Sequence, residues 1–445
     1  MVEPRVIPRA EHAISRRDID PDALKVLNRL HQHQHVAYLV GGSVRDLLLG
    51  RRPKDFDIGT SAHPGQIKKL FRNCWIIGRR FRLAHIKFGT KVIEVATFRC
   101  QVPALADTPD GVDVTEVAAL DDLPRDPVVV PAIVASVPRH DRSADDLHLI
   151  HRDNTFGTPE EDAFRRDFTI NALFYDIATF GIIDYVHGMD DLRARVVRSI
   201  GDPEVRFQED PVRMLRATAL SVRLDFVLDP PILEAIGLHR HEIAKSSPAR
   251  LLEEYYKILR SGYAEKTFRA LARTGLLEPI SAELHQGATD PLWRSLAAVD
   301  AYRSRFETSP DTLTNPVLLG SLLVPLGLAP QLGRQPEAIL RLGTLPLARK
   351  DVERLRHMLG LQRRLHDLGA HARAQRALTH RHIFPDALTW LDIHGDRPEL
   401  VAHWRTVLAE LSSHAPAAPE TTDGEPPLVR RRRRRRRRYR PAQEN

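Results

Sequence analysis

This sequence has few cysteines and no long hydrophobic run. Its 445 residues include two cysteines, Cys74 and Cys100, which are too few for a disulfide framework and are expected to be reduced core residues in a cytosolic protein. No apolar run approaches the about 20 residues that cross a membrane, and 28% of the residues are charged. The amino-terminal MVEPRVIPRAEH also lacks the apolar run of a secretion signal. A soluble, cytoplasmic protein without stable membrane insertion is therefore expected.

No internal repeat stands out, and histidine occurs without a metal-site pattern. No histidine pair has the spacing to nearby Cys or Asp that a metal site requires, and there is no His-Asp phosphohydrolase signature. Surface or loop positions are expected for the histidines of two groups: His31, His33 and His35, and His140, His148 and His151.

The positive charge is confined to the carboxyl-terminal end. The net charge is +8, but residues 428–445 hold ten Arg and one Glu and so carry +9, which leaves about −1 on the rest. A Pro/Ala/acidic linker precedes the unbroken run Arg430–Arg438. The pattern predicts a disordered tail over 414–445 that attracts RNA phosphates, although a nonspecific charge tag or a membrane or nucleoid attractant would have the same composition.

The stretch VGGSVRDLLLGRRPKDFD at 40–57 combines three features of a phosphate site. The pair Gly41 and Gly42 lets the backbone come close to a phosphate. Arg45 can clamp phosphate oxygens. On a predicted strand Phe56–Ile58, Asp55 and Asp57 would leave one face, where a divalent cation would relieve their repulsion. Taken singly, a Gly pair is also typical of a turn and D-x-D of a solvated strand end.

The periodicity predicts a small mixed sheet with helices, followed by a helical body. Helices are expected at 21–33 and 64–71, and strands at 36–40, 75–77, 84–88 and 91–98. Residues 101–148 lack periodicity and are expected to form a long loop. From Pro159 to about Ser413 the pattern is helical throughout.

GGSVRDLLLG followed by DFD resembles the class II tRNA nucleotidyltransferase and poly(A) polymerase family, whose pattern is GGxVRDxLLG, a short gap and DFD. The resemblance implies Mg²⁺, with Mn²⁺ as an alternative, on Asp55 and Asp57, and ATP as substrate. Glu94 is the only charge in VIEVATF, where an unpaired carboxylate is costly. The pattern alone is also typical of a strand-edge residue, whereas in the family the corresponding acid joins the metal site.

The segment RRDFTINALFYD at 165–176 is expected to begin a helix, with Asp167 and Asn171 on one face. A helix cap with flanking surface Arg is the alternative from pattern alone. RRDFTIN resembles a family signature, which implies that Asp167 is a catalytic carboxylate, Arg166 holds the triphosphate and Asn171 supports both.

The segment EDPVRMLRA at 209–217 is expected to start a helix at Pro211 with Asp210, Arg213 and Arg216 on one face. A salt-bridged helix surface is the alternative. The resemblance implies that Asp210 and Arg213 read the incoming base without a template, supported by Arg216. Many relatives have another Arg where this sequence has Ala219.

The expected fold is α+β: a small mixed-sheet nucleotidyltransferase head, a mainly helical body and a disordered basic tail. The expected division is an arm at 1–20, a catalytic domain at 21–190, a nucleotide-recognition neck at 191–280, an RNA-binding body at 281–413 and the tail at 414–445. The segment IIGRRFRLAHIKFG, with Arg79, Arg80 and Arg82, resembles the poly(A) polymerase form, as does SPARLLEEYYKIL.

The resemblance therefore implies a template-independent polynucleotide adenylyltransferase that adds AMP to single-stranded RNA 3′ ends, in mRNA processing and RNA turnover. A CCA-adding tRNA enzyme shares every catalytic motif and is the first alternative. An RNA-binding adaptor with a dead catalytic domain is the second, and the retention of Asp55, Asp57, Glu94 and Asp167 argues against it.

Overall fold

The computed structural model describes residues 3–78, 82–100, 155–329 and 340–413. The predictions for Arg79 and Arg80, for the loop at 101–148 and for the tail at 414–445 lie outside these ranges. The strands are β1 Arg5–Ile7, β2 Ala37–Val40, β3 Ile58–Thr60, β4 Cys74–Ile77, β5 Leu83–Phe88, β6 Lys91–Thr97, β7 Leu173–Tyr175, β8 Ile182–Asp184, β9 Val196–Val197 and β10 Val227–Leu228.

The α-helices are α1 Pro21–Gln32, α2 Gly42–Leu48, α3 Pro64–Leu70, α4 Pro159–Phe164, α5 Gly188–Ala194, α6 Pro203–Glu209, α7 Val212–Leu224, α8 Pro230–His239, α9 Pro248–Leu259, α10 Ala264–Arg273, α11 Ala282–Gln286, α12 Asp290–Arg303, α13 Asn315–Leu323, α14 Arg349–Leu365, α15 Ala372–Thr379, α16 Phe384–His394 and α17 Pro398–Ser413. Short 3₁₀ turns occur at Arg9–Glu11, Arg16–Asp18, Thr169–Asn171 and Arg240–Lys245. None of the helices in the described part of the chain is both long and apolar enough to cross a membrane.

Within the described ranges, eight strands form one mixed sheet in the order β1-β8-β7-β2-β3-β6-β5-β4. The pairing of β3 with β6 is parallel, and the other pairings in this sheet are antiparallel. The short strands β9 and β10 form a separate parallel pair. Strand β4 ends the sheet on one side, and the first strand of the chain ends it on the other.

The two faces of the sheet are packed differently. One face lies on the main hydrophobic core, which continues into the helical body. Helix α1 contributes Ala23, Val26, Leu27 and Leu30 to this core, at the three- and four-residue spacing of one helix face. The second face carries a smaller cluster, formed by Val40, Phe98, Ala163, Ala172, Phe174 and Ile200.

The helical body is held by apolar packing between successive helices. Helix α13 is buried over Pro316–Leu323, because neighbouring helices cover it on all sides. Gly320 has a packing role there, since a Cβ at this position would lie 2.6 Å from the Trp390 ring. The predicted order of a mixed-sheet head followed by a helical body is confirmed.

Most of the predicted elements before residue 100 form within one residue of their predicted ends. One is displaced, because the strand predicted at Phe56–Ile58 instead runs from Ile58 to Thr60. The prediction of a helix carrying Asp167 and Asn171 was wrong, since α4 ends at Phe164 and only a 3₁₀ turn follows. The prediction of uniform helix after Pro159 was also wrong, because β7 and β8 join the sheet. Three-residue strands are too short to show a period of two in the sequence.

Both cysteines are free thiols. Cys74 is buried in the core, as expected, whereas Cys100 is partly exposed.

Candidate active site

The Gly41–Gly42 turn joins β2 to α2 and approaches an arginine side chain. Gly41 has φ of +71°, a conformation that side-chain-bearing residues rarely adopt. A Cβ on Gly41 would lie 3.0 Å from Nη1 of Arg166. Glycine at this position therefore lets the backbone and the Arg166 guanidinium lie side by side, as a shared anion site requires.

Asp55 and Asp57 lie in the extended segment immediately before β3. The Asp57 carbonyl accepts a hydrogen bond from the Val40 backbone N–H at 3.1 Å, which fixes this segment against the end of β2. Asp55 is exposed, and its closest ion partner is Lys54, with Nζ 3.4 Å from Oδ2. Asp57 is partly buried. The segment is held by its neighbours, so it keeps a fixed place without belonging to a strand.

Glu94 lies on the strand next to this segment. The parallel pairing joins Ile58 to Val95, so one residue earlier Asp57 lies beside Glu94. Burial, the Glu94 charge and the Asp55 charge together raise the pKa of Asp57 to about 6, against an opposing effect of Arg166. The three carboxylates therefore repel one another beside the adjacent strands β3 and β6.

This donor set fits a divalent cation of the Mg²⁺ type. Carboxylate oxygens are the ligands that hard cations prefer, and a bound cation would remove the repulsion that raises the pKa of Asp57. Across the ranges that the structure describes, no three His, Cys, Asp or Glu side chains are already gathered closely enough to hold a metal ion. Glu94 is drawn toward His85, with Oε1 3.5 Å from Nε2.

Arg166 is oriented by groups on both sides. Its Nε and Nη2 donate to Oδ2 of Asp162 at 3.1 and 2.9 Å, and its Nη1 donates to the Asn171 carbonyl at 3.1 Å. The guanidinium also lies over the Phe174 ring, 5.3 Å from the centroid. It is thus held beside the glycine turn and close enough to Asp57 to lower that group's pKa.

Asp167 is buried, and both of its carboxylate oxygens lie close to protein donors. Its Oδ1 accepts from the Phe168 backbone N–H at 2.9 Å and from Nδ2 of Asn171 at 3.2 Å. Its Oδ2 lies 2.7 Å from Nη2 of Arg216 on α7. Burial alone would raise the pKa of Asp167, but the Arg216 charge and the Asn171 hydrogen bond outweigh it and leave the pKa lowered. Asp167 is therefore an anion that links the 165–171 segment to the helices.

Arg45 is buried, and its partners are protein groups. Its Nε and Nη2 donate to Oδ1 of Asp46 at 2.8 and 2.7 Å, and its Nη1 donates to Oδ1 of Asn171. Asn171 thereby joins Arg45 on one side to Asp167 on the other. This geometry connects helix α2 with the RRDFTIN segment.

Asp210 directly follows α6, and helix α7 begins two residues later at Val212. The predicted site residues of this segment have different surroundings. Asp210 pairs through Oδ2 with Nη2 of Arg250 at 2.8 Å, while its buried Oδ1 has no hydrogen-bond partner among the described residues. Arg213 is buried and donates to Oε2 of Glu209 at 3.1 Å and to the Arg206 carbonyl at 3.0 Å. Arg216 reaches Asp167 instead. The three charged residues, although spaced three apart, thus each pair with a different residue.

Several residues that support the site were not singled out from the sequence. Asp162 holds both Arg165 and Arg166, and the i,i+3 and i,i+4 spacing within EDAFRR could have revealed this pair of ion pairs. Arg206 donates from Nη2 to the carbonyls of Arg165 and Arg166 at 2.8 and 2.7 Å. No local sequence signal predicts that bond, because its partners are about 40 residues away. Ala219, one turn after Arg216, is partly buried against the core.

The chain is similar to known nucleotidyltransferases over its first two thirds. The family described as "Poly A polymerase head domain" matches residues 37–198, and the family described as "Probable RNA and SrmB- binding site of polymerase A" matches residues 225–287. Poly(A) polymerase I of Escherichia coli O6:H1 is 46% identical over 275 residues, which are 62% of this chain and 53% of that protein. Poly(A) polymerase I of Haemophilus influenzae is 41% identical over 278 residues, covering 62% and 54%.

CCA-adding enzymes are also similar. That of Bacillus pumilus is 32% identical over 258 residues, covering 58% of this chain and 54% of that protein. A solved structure, the Bacillus stearothermophilus CCA-adding enzyme in complex with CTP, has a TM-score of 0.57 and 26% identity, and the match covers 88% of this chain and 84% of that one.

The mixed sheet, with its carboxylates beside β3 and β6 and with helices following it, defines a nucleotidyltransferase head on a helical body. The chain belongs to the poly(A) polymerase and tRNA nucleotidyltransferase family. It spans about half the length of the curated relatives that it matches.

Proposed function

We propose that this protein is a polynucleotide adenylyltransferase, which adds AMP from ATP to the 3′ ends of RNA. The observation that carries the proposal is the identity of 41–46% to poly(A) polymerases I, against 32% to CCA-adding enzymes. As part of the same proposal, the primer is single-stranded RNA and the activity serves mRNA processing and RNA turnover. We propose the cytoplasm as the compartment of this role.

In the proposed reaction the RNA 3′-hydroxyl attacks the α-phosphate of ATP in line, and pyrophosphate leaves. Asp55 and Asp57, with Glu94 beside them, would hold Mg²⁺ or Mn²⁺ next to strands β3 and β6. When bound, the ion neutralises phosphate charge and lowers the pKa of the attacking hydroxyl. Gly41 and Gly42 leave room for the triphosphate against the Arg166 guanidinium.

The protein's own groups keep this arrangement in place. Arg45 and Asn171 form the link that orients Asp167, whose negative charge Arg216 maintains. Because these groups are already paired, the site is preorganised and needs little rearrangement when substrate binds. Asp167 is the group of this set that we assign to the ribose end of the nucleotide.

Asp210 is suited to read the base. Within the described part of the chain its buried Oδ1 has no donor, and the exocyclic amino group of adenine supplies one. Arg250 holds the other carboxylate oxygen, so the acceptor points in a fixed direction. Arg213, held by its hydrogen bond to Glu209, supplies the hydrogen-bond donor for the same edge of the base. Uracil offers no such amino group, and leaving a buried acceptor unpaired costs about 1–3 kcal/mol.

Cytosine also carries an exocyclic amino group, so the same acceptor is compatible with a CCA-adding enzyme. This second candidate is favoured by the likeness to the Bacillus stearothermophilus enzyme. Incorporation assays with each NTP separately distinguish the two. Repeated addition of A to a generic RNA primer, with poor use of CTP, supports the adenylyltransferase. Addition of two C residues and one A, confined to tRNA lacking its end, replaces it.

The metal assignment has its own test. Asp55→Asn and Asp57→Asn should each lower kcat by about a hundredfold or more, because the phosphate charge is then poorly neutralised. Asp290→Asn, an exposed carboxylate at the start of α12, is the matched control and should leave kcat unchanged. Near-normal turnover by either site variant, with the fold confirmed by circular dichroism, contradicts the assignment and the proposed ion site.

A further inference from the structure

The second face of the sheet is covered over only part of its width by the described residues. The small cluster around Phe98 and Phe174 lies over β2 and β7. Beyond it, on β4 to β6, the described residues leave this face open, and it carries exposed apolar side chains from Trp75, Ile77 and Val92. The boundary between the covered and open halves is the strand that bears Glu94.

Trp75 lies in the same cross-strand row as the carboxylates. The pairing joins Trp75 to His85 and His85 to Glu94, and Asp57 lies beside Glu94 on the next strand. Directly paired residues point to one face of a sheet. Since His85 and Glu94 are 3.5 Å apart at Nε2 and Oε1, the row is continuous from the carboxylates toward the sheet edge. Three strand spacings of about 4.8 Å separate Trp75 from Asp57.

The Trp75 side chain does not contribute to the hydrophobic core. Its neighbours Cys74 and Ile76 point the other way and pack on the main core, whereas the Trp75 side chain is 54% exposed. Among the described residues, no other aromatic ring packs against it. The other three tryptophans, by contrast, are at most 8% exposed. An indole left in water in the same cross-strand row as the carboxylates points to a ligand with a flat apolar surface.

We propose that this open half-face, which we call the Trp75 platform, binds the single-stranded RNA primer upstream of its 3′ end, with a base stacked on Trp75. The proposal rests on the proposed function. Trp75 is here a positioning residue: the primer runs along the row, and its terminal hydroxyl reaches the carboxylates. Stacking on an aromatic side chain is independent of base identity, as a primer of varying sequence requires.

The charges on the platform fit RNA. Lys87 lies on the same face as His85, two residues along β5, and is exposed. No acidic side chain in the described ranges forms an ion pair with it, so its ammonium is available to a phosphate. Lys87 pairs across the strand with Val92, which places the cation beside the apolar surface, as in single-strand binding grooves.

The platform is poorly suited to a second copy of this chain. Trp75 exposes roughly 100 Å², and Ile77 and Val92 add less, whereas a stable interface buries about 800 Å² per partner. His85 and Glu94 also interrupt the apolar surface. Self-association through the platform is therefore not expected, and the experiment includes a measurement that would detect it.

The experiment uses the full chain and an oligo(A) RNA primer. Of the four tryptophans, Trp75 is the exposed one, so a water-soluble quencher should reduce mainly its fluorescence. Primer binding should quench this same fluorescence. Trp75→Ala should raise KM for primer about tenfold, with kcat and KM for ATP unchanged, because stacking on one base is removed. Trp75→Phe keeps a ring and should retain primer KM within threefold while abolishing the fluorescence response.

Val227→Ala is the matched control, an exposed apolar residue on the separate β9–β10 pair, and should leave primer KM unchanged. Primer KM for Trp75→Ala within twofold of the parent protein, with melting temperature preserved, overturns the proposal. A change in sedimentation without a change in RNA affinity also overturns it, in favour of self-association. Quenching by primer in a protein that incorporates no nucleotide retains the platform and rejects the proposed function instead.

Discussion

Oδ2 of Asp167 and Nη2 of Arg216 lie 2.7 Å apart, and this ion pair joins the segment after α4 to the middle of helix α7. Asp167 is buried, whereas Arg216 is nearly half-exposed. The head and the helices that follow it thus share one charged contact at the site. Neither residue's neighbours in the sequence could have identified the other as its partner.

Arg216→Met should therefore reduce both stability and activity. It leaves a buried carboxylate without its cation, which we expect to cost about 1–3 kcal/mol in the free energy of unfolding, and it raises the pKa of Asp167 from its lowered value. Urea denaturation and kcat/KM for ATP measure the two effects. Arg349→Met removes an exposed i,i+4 pair with Glu353 and should cost less than about 0.5 kcal/mol. Equal destabilisation of both variants would show that the Asp167–Arg216 ion pair contributes no more to stability than an exposed ion pair does.

Asp57→Asn should stabilise the metal-free protein at pH 8. With a folded pKa of about 6, above the ordinary value of 3.8, Asp57 keeps a proton that the unfolded chain releases. The folded state therefore loses stability as the pH rises from about 4 to 6, and the penalty of roughly 1–3 kcal/mol is complete above pH 6. Thermal melts of parent and variant in EDTA at pH 5 and pH 8 check this.

Mg²⁺ should reduce the same penalty. We expect the ion to raise the melting temperature of the parent protein more at pH 8 than at pH 5, because it binds the deprotonated carboxylate. The Asp57→Asn variant should show a smaller difference between the two pH values. An equal Mg²⁺ effect in parent and variant would contradict the role of Asp57 as a ligand.

His394 should make the helical body sensitive to acid. Burial lowers its pKa to about 4, and its Nε2 lies 2.9 Å from Oγ of Ser321. Between pH 6.5 and 4, His394 binds a proton in the unfolded chain but not in the folded protein. The free energy of unfolding therefore falls by up to about 3 kcal/mol as the pH is lowered through this window. His394→Gln should flatten the dependence of the free energy of unfolding on pH. His382→Gln, an exposed histidine, is the control and should retain the acid sensitivity.

Deletion of residues 428–445 should weaken RNA binding and reduce its salt dependence. This segment carries the positive excess of the chain, ten Arg against one Glu. Each RNA phosphate that the protein no longer neutralises lowers the log–log salt slope by roughly 0.7 for single-stranded RNA, so five such phosphates reduce it by about 3.5. A salt titration of primer affinity measures the slope, and kcat at saturating primer is the control. An unchanged slope would point to another acidic partner for the tail.

The sequence alone identified several of the residues that the structure brings together. GGSVRD, DFD, RRDFTIN and EDPVRMLRA are contiguous motifs, and the structure brings Gly41, Asp57, Arg166 and Asp167 into one linked region. The helices and strands before residue 100 were also predictable, because their apolar periods are long enough to read. The roles of these residues in catalysis stay predictions.

Only the tertiary structure decided how those residues are held. Asp57 is placed by the hydrogen bond from Val40 to its carbonyl and by the start of β3, Asn171 by a 3₁₀ turn, and Arg216 by a carboxylate in the head. The platform around Trp75 exists because β4 pairs with β5 in one register, and a shift of one residue would bury the indole. Such contacts join residues distant in the chain, and their energy comes from packing and burial that no local sequence pattern records.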